Sequence, residues 1–418
     1  VRLRERGAPP VRRAGRLAAL AAVMGPGLVV MLADTDAGSI VTAAQSGAAW
    51  GYDLLWLQVA LVPVLFVVQE LTVRLGTVTG QGHGELIRRY FGKRWAWFSV
   101  GTLALAGVGA LCTEFVGVAG AGEVFGVSPY LSVGTAVVGL AVIAARGTYR
   151  RVELVAAAVG SLEFLYVLVA WQAHPSPGLF LADLQRLPWS HGPYLYLIAA
   201  NIGAVIMPWM IFYQQSAVVE KGLTERDLPA ARIDTAVGAV LTQVIMAAVL
   251  VSTAATLHGG AGAAGSALGT VPEIAGALTP LLGPTYGAVL FALGMLGASL
   301  VAALVVSLAV AWGLGEVAGY RHSLAHAAGE APWFYGIYLV AIVGSAALVL
   351  SGVNLVRLSI AVQVMNALLL PVVLGFLFLL ARRALPGEHR LRGIPAWTVA
   401  VVLALTTAFG VMSAGLSF

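Results

Sequence analysis

A single cysteine, Cys112, stands in 418 residues, so no intrachain disulfide can form, and its place on an apolar run marks it as an inert packed thiol. Charge is nearly as scarce. Asp, Glu, Lys and Arg make up 10% of the chain against 59% hydrophobic residues, and mean hydropathy is +0.90. No water-soluble fold hides that much apolar surface. The signatures of catalysis are missing too: there is no HExxH pair, Cys/His cluster, Walker sequence or GxSxG elbow, so neither ATP-driven transport nor hydrolase chemistry finds support, and no enzyme is expected. The seven histidines, His83, His174, His191, His258, His322, His326 and His389, all read as loop residues, which leaves no intramembrane histidine relay.

What is present is a series of long apolar runs. About 20 apolar residues make one membrane-spanning helix. Eleven such runs start near Leu17, Tyr52, Trp97, Leu131, Val152, Leu195, Ile233, Tyr286, Phe334, Val356 and Pro395. The expected fold is therefore all-α and polytopic, one transmembrane domain over 17–418 behind a tail over 1–16. If that tail is cytoplasmic, only Arg186 and Arg357 of the 24 basic residues fall clearly outside, a strong positive-inside bias. The same topology, with anionic lipid headgroups as partners, accounts for the net charge of +5, and no nucleic-acid partner is expected. The five arginines up to Arg13 resemble a signal n-region, but the run after them is long and leads into further spans, which favours an uncleaved tail.

Acids within the apolar runs are few and lopsided. Asp34, Asp36, Glu70, Glu114 and Glu163 are placed there, and none is placed in a span from Thr235 onward. A charge inside a membrane costs at least ~2.5–3.5 kcal/mol, so such an acid points to function and to a cationic partner. Asp36 is the most telling, about midway along the run from Leu17 to Ala49, in the helix-breaking stretch from Asp34 to Ser39. No Lys or Arg lies nearby in the spans to neutralise it. A second break falls in the sixth span at Met207-Pro208, where the proline removes one backbone hydrogen bond and frees the Ala204 carbonyl. Backbone freed at that depth is tolerated only against protein, water or an ion. Two interrupted spans five helices apart suit a transporter of two inverted five-helix repeats with a midplane site. The repeats are expected over about 17–172 and 194–384, with an extra helix over about 395–416.

The motifs at these breaks are familiar. Gly25-Pro26-Gly27, DTDAGSIVTAAQSGAAWGYDLLW from Asp34 and IGAVIMPWMIFYQQS from Ile202 resemble the natural resistance-associated macrophage protein (Nramp) family of divalent metal transporters. Further stretches extend the resemblance across nearly the whole chain: RLGTVTGQGHGELI from Arg74, CTEF from Cys112, ARIDT from Ala231 and AVQVMNALLLP from Ala361. It implies a leucine-transporter-type fold with broken helices 1 and 6, in a bacterial inner (plasma) membrane, importing manganese or ferrous iron, usually with protons. It also implies a ligand set of Asp36, Ser39 in place of an asparagine, the Ala204 carbonyl, the Met207 thioether and Gln363, with Glu114 at the family's span-3 glutamate. The transported metal is substrate, and no cofactor is expected.

Departures from the pattern bear on protons and on the metal. Trp209 stands at a family histidine and Leu111 at a span-3 aspartate, both associated with proton movement in the family. Asp34 is an added acid two residues before Asp36, and repulsion between the two would make one a proton acceptor. A thioether favours Mn²⁺ or Fe²⁺ over Mg²⁺, whereas loss of an amide at Ser39 and gain of Asp34 favour a wider, more hydrated site. Transport of magnesium without proton coupling is thus the alternative. Glu114 is open between a proton role and pairing with Arg357 or backbone, and the role of Glu163 is open. Glu70 and Arg74, at i and i+4, read as a helical ion pair. An amino-acid carrier of the same fold, which would avoid an acid at the break, is a further rival. So is a cation channel, which would need rings of charge.

Overall fold

The computed structural model describes residues 23, 25–146, 148–173, 178, 188–258, 271–277, 283–352 and 355–416. The expected tail over 1–16, the start of the first span at Leu17 and Arg186 lie outside the described residues. Every regular element among those described is helical.

The first span is a bent pair, α1 (Pro26–Asp34) and α2 (Ala37–Trp50), meeting at 49°. The next two spans are α3 (Leu55–Thr79) and α5 (Lys93–Val124), joined through the short α4 (His83–Phe91). Span 4 is α6 (Pro129–Arg146). Span 5 is α7 (Tyr149–Gly160) continued through one 3₁₀ turn, Ser161–Phe164, into α8 (Leu165–Gln172). The sixth is interrupted, α9 (Gly192–Val205) then α10 (Pro208–Glu220). After α11 (Leu228–Leu257) and the short α12 (Val271–Ala277) come α13 (Pro284–Ala318), α14 (Pro332–Leu350), α15 (Leu355–Arg383) and α16 (Gly393–Leu416). Counting the bent pair as one, eleven spans among the described residues are long and apolar enough to cross a membrane, in register with the apolar runs of the sequence.

Burial separates the bundle into a core and a rim. The stretch Gly192–Glu220 is 94% buried within the protein, whereas α6, α16 and the fifth span are mostly exposed and face the surroundings. The two broken spans therefore lie at the centre. α11 packs along α1, α2 and α3, and α9 is held between α15 and α16. Small residues allow that closeness: a Cβ on Gly47 of α2 would fall 2.2 Å from the Leu250 carbonyl of α11.

Three polar groups pin one end of this core. Asp234 of α11 accepts from the backbone N–H groups of Gly25 (3.1 Å), Gly27 (2.8 Å) and Leu28 (3.2 Å), so its carboxylate caps the start of α1 from a neighbouring helix. Glu70 pairs with Arg74 as the i, i+4 spacing indicates, and also with Arg232 at 2.7 Å. Glu316 corrects the expectation that no acid lies in the later spans. It is buried in the last turn of α13, accepting from the Gly84 N–H at 2.7 Å and the Ser216 hydroxyl at 2.5 Å. The helix runs on past it to a left-handed Gly319.

His83 is a second correction. It begins α4 rather than sitting in an open loop, and it is fully buried. Its Nδ1 lies 2.9 Å from Gln215 Oε1, and its ring meets Phe212 edge-on at 4.8 Å. Burial pushes its pKa down to about 4, against a smaller upward pull from Gln215. Between that value and an ordinary one near 6.5 the unfolded chain binds a proton that the folded chain refuses, so stability falls as pH drops through this window. The loss amounts to at most about 3 kcal/mol. Melting temperature in detergent should therefore decline from pH 6.5 to pH 4 in the parent chain, and His83→Gln should flatten that decline.

Candidate functional site

Local sequence sets both breaks. α1 stops at Asp34, and Thr35 and Asp36 leave the helical region with ψ of 48° and 171°. Asp36 then becomes the N-cap of α2, its Oδ1 accepting the Ser39 N–H at 2.6 Å. In the sixth span Pro208 occupies the first position of α10, where its missing N–H costs nothing. A residue before proline is driven out of the helical region, and Met207 is extended at φ −108°, ψ 143°. The Ala204 carbonyl loses the partner that a non-proline residue 208 would have supplied.

The two breaks meet. The Ser39 hydroxyl donates to the freed Ala204 carbonyl at 3.1 Å, and Gln363 Nε2 of α15 reaches Asp36 Oδ1 at 3.4 Å. Asn366, one turn on from Gln363, donates to its Oε1 at 2.9 Å and fixes the amide. Gly38 permits the approach, since a Cβ there would lie 2.4 Å from Gln363 Nε2. Asp36, Ser39, Ala204 and Gln363 thus form one buried cluster. In this arrangement Gln363 turns its amide nitrogen to the carboxylate and orients it. The other carboxylate oxygen, Asp36 Oδ2, is buried and accepts from no N–H or hydroxyl donor.

Met207 and Trp209 sit on the same break, both fully buried, with the indole Nε1 donating to the Met207 sulfur at 3.2 Å. Glu114 of α5 accepts from the Ala37 N–H and from the Thr113 hydroxyl, each at 3.1 Å, and its carboxyl reaches that of Asp36. Of the pairings open to it, the structure shows the one with backbone.

Asp34 and Glu163 lie on the other side of Thr35. The Thr35 hydroxyl donates to Glu163 Oε2, while Glu163 Oε1 and Asp34 Oδ1 are buried without partners. Glu163 is carried by the 3₁₀ turn of the fifth span. Asp34, Asp36, Glu114 and Glu163 therefore gather four carboxyls around one unwound segment, and among the described residues no Lys or Arg bonds to any of them. Uncompensated buried charge is strongly unfavourable, so these carboxyls call for protons or for a cation among them. Sequence reasoning did not find Asn366 or the Thr35–Glu163 contact. The i, i+3 spacing of Gln363 and Asn366 was the one available signal.

Known membrane transporters share this fold. The family model described as natural resistance-associated macrophage protein-like matches residues 27–414. A relative from Burkholderia ambifaria, named divalent metal cation transporter MntH, is 26% identical over 424 residues, covering 96% of this chain and 91% of its own. The crystal structure of the Eremococcus coleocola manganese transporter with a bis-isothiourea compound superposes with a TM-score of 0.77 at 19% identity, covering 97% of this chain and 89% of that one. A nucleobase-cation-symport-1 family transporter in a closed conformation superposes at 0.61 and 14% identity over 94% and 90% of the two chains. The fold is thus the leucine-transporter type, in an integral membrane protein.

The site depends on α9 and α15 touching backbone to backbone beside it. A Cβ on Gly203 would fall 1.8 Å from the Gln363 carbonyl and 2.8 Å from the Ala367 nitrogen. Gly203→Ala must push the helices apart, at a cost of about 1–3 kcal/mol typical of overpacking. A lower melting temperature of the purified variant, together with weaker metal binding, is the expected result of calorimetry on the same sample.

Proposed function

Since the chain belongs to the natural resistance-associated macrophage protein-like family, we propose that it is a secondary transporter carrying Mn²⁺-like or Fe²⁺-like divalent cations by alternating access. The observation that carries this reading is the buried Oδ2 of Asp36, to which no N–H or hydroxyl donates, set between two helix breaks and among carboxyls that no Lys or Arg of the described residues bonds to. A divalent cation would satisfy such a site. Asp36 supplies the negative ligand, the Ala204 carbonyl and Ser39 hydroxyl supply oxygens, and the Met207 thioether supplies sulfur. Gln363 steadies the carboxylate, and turning its amide would offer a further oxygen.

Carbonyl ends of α1 and α9 add partial negative charge where the ion sheds water. The broken spans then rock against the rest of the bundle. Release toward the side where α1 begins requires breaking the Asp234 cap and the nearby Lys221–Glu153 pair at 2.7 Å. The distribution of basic residues supports reading that side as the cytoplasm, and the bacterial relatives support a bacterial inner membrane. Protons are carried, if at all, by the carboxyls, because Trp209 and Leu111 offer no titrating group.

Magnesium transport without protons is the second reading. It is favoured by the Trp209 contact to the one sulfur ligand, which leaves oxygen dominant. Uptake of Mn²⁺ and of Mg²⁺ into liposomes, with a pH dye inside, separates the two. Asp36→Asn should reduce uptake of either ion to the level of empty liposomes, and near-normal uptake by that variant would refute the site.

A further inference from the structure

We infer that Trp209 determines the metal selectivity of this site by occupying a lone pair of its sulfur ligand. The inference rests on the transport reading above and adds the group that tunes it. An indole N–H donates and cannot accept, and when buried it needs a partner. Trp209 is fully buried on the first turn of α10, and its Nε1 meets Met207 Sδ at 3.2 Å. The two residues flank Pro208, whose fixed backbone holds Met207 extended and Trp209 helical, so the indole is aimed at the sulfur by the break itself.

A thioether has two lone pairs and is a weak acceptor. With one engaged, the sulfur is held in a set direction and its density is drawn toward the indole hydrogen, so it offers less to a cation. The remaining donors are all oxygen: the Asp36 carboxylate, the Ala204 carbonyl and the Ser39 hydroxyl. Soft cations gain most from sulfur and lose most when it is engaged, whereas hard cations are indifferent. Trp209 therefore narrows the preference for Cd²⁺ and Mn²⁺ over Mg²⁺ that Met207 alone would impose. It is a selectivity residue acting through Met207.

The test is a double-mutant cycle on the full-length protein in detergent, with Cd²⁺, Mn²⁺ and Mg²⁺ each titrated alone by calorimetry. Trp209→Phe keeps an aromatic ring and removes the N–H. It should raise the Cd²⁺ over Mg²⁺ affinity ratio by about 2- to 10-fold, the span of one hydrogen bond of ordinary net strength. Met207→Ala should lower that ratio less in the parent chain than in the Trp209→Phe background, and this coupling is what a packing role would not produce. An unchanged ratio in Trp209→Phe, or an equal weakening of all three ions, overturns the inference. If Trp209→Phe does not fold, Met207→Ala in the parent chain decides alone: a fall of about tenfold or more in the ratio means the sulfur is fully available, and the inference fails. Absence of binding by all three ions to the parent chain would overturn the transport reading instead.

Discussion

Asp36 caps a helix with one carboxylate oxygen and leaves the other free. Oδ1 satisfies the Ser39 N–H at the start of α2, and Oδ2 is buried with no N–H or hydroxyl donating to it. A helix start that faces the core leaves N–H groups to satisfy, and an aspartate is among the best capping residues and also answers the helix dipole. The acid that permits the helix to begin inside the membrane therefore also leaves a negative atom there. Unwinding and charge are one device, and the surrounding architecture serves to keep it dry. The broken sixth span is nearly all buried, and the glycines at 38 and 203 bring α15 within reach of both breaks.

Much of this was legible in the sequence because membrane insertion penalises error so heavily. Apolar runs of about 20 residues have little choice of conformation, and the eleven spans fall where hydropathy puts them. Asp36 and Met207-Pro208 stood out for the same reason, as groups that lipid would not tolerate. The meeting of Ser39 with Ala204 and of Gln363 with Asp36 follows from where the breaks must sit for the spans to pack.

Other features were illegible, each for a physical reason. His83 read as a loop residue and Glu316 was placed in no span, yet the glycines beside His83 let α4 approach α13 closely. A Cβ on Gly82 would fall 2.0 Å from a Glu316 oxygen. Burial of this pair depends on the closeness of separate elements, which periodicity does not encode. The Trp209 contact was hidden differently. The sequence showed a lost histidine, but only the extended backbone at Met207 turns the indole onto the sulfur.

Helix dipoles add a further constraint on a cation site at this position. The beginnings of α2 and α10 both face the breaks, and a helix start carries partial positive charge that repels a cation. At α2 the charge is answered by Asp36 itself. At α10 the first position is a proline without an N–H, which removes one of the donors, and no side chain caps the rest. The opposing ends of α1 and α9 present carbonyls, the negative poles of their helices. An anionic substrate would want the two starts bare and the acid gone, whereas this chain neutralises the α2 start with a carboxylate and gathers three more around it. The electrostatics of the broken helices thus disfavour a carboxylate-bearing substrate such as an amino acid and suit positive charge, independently of the sulfur.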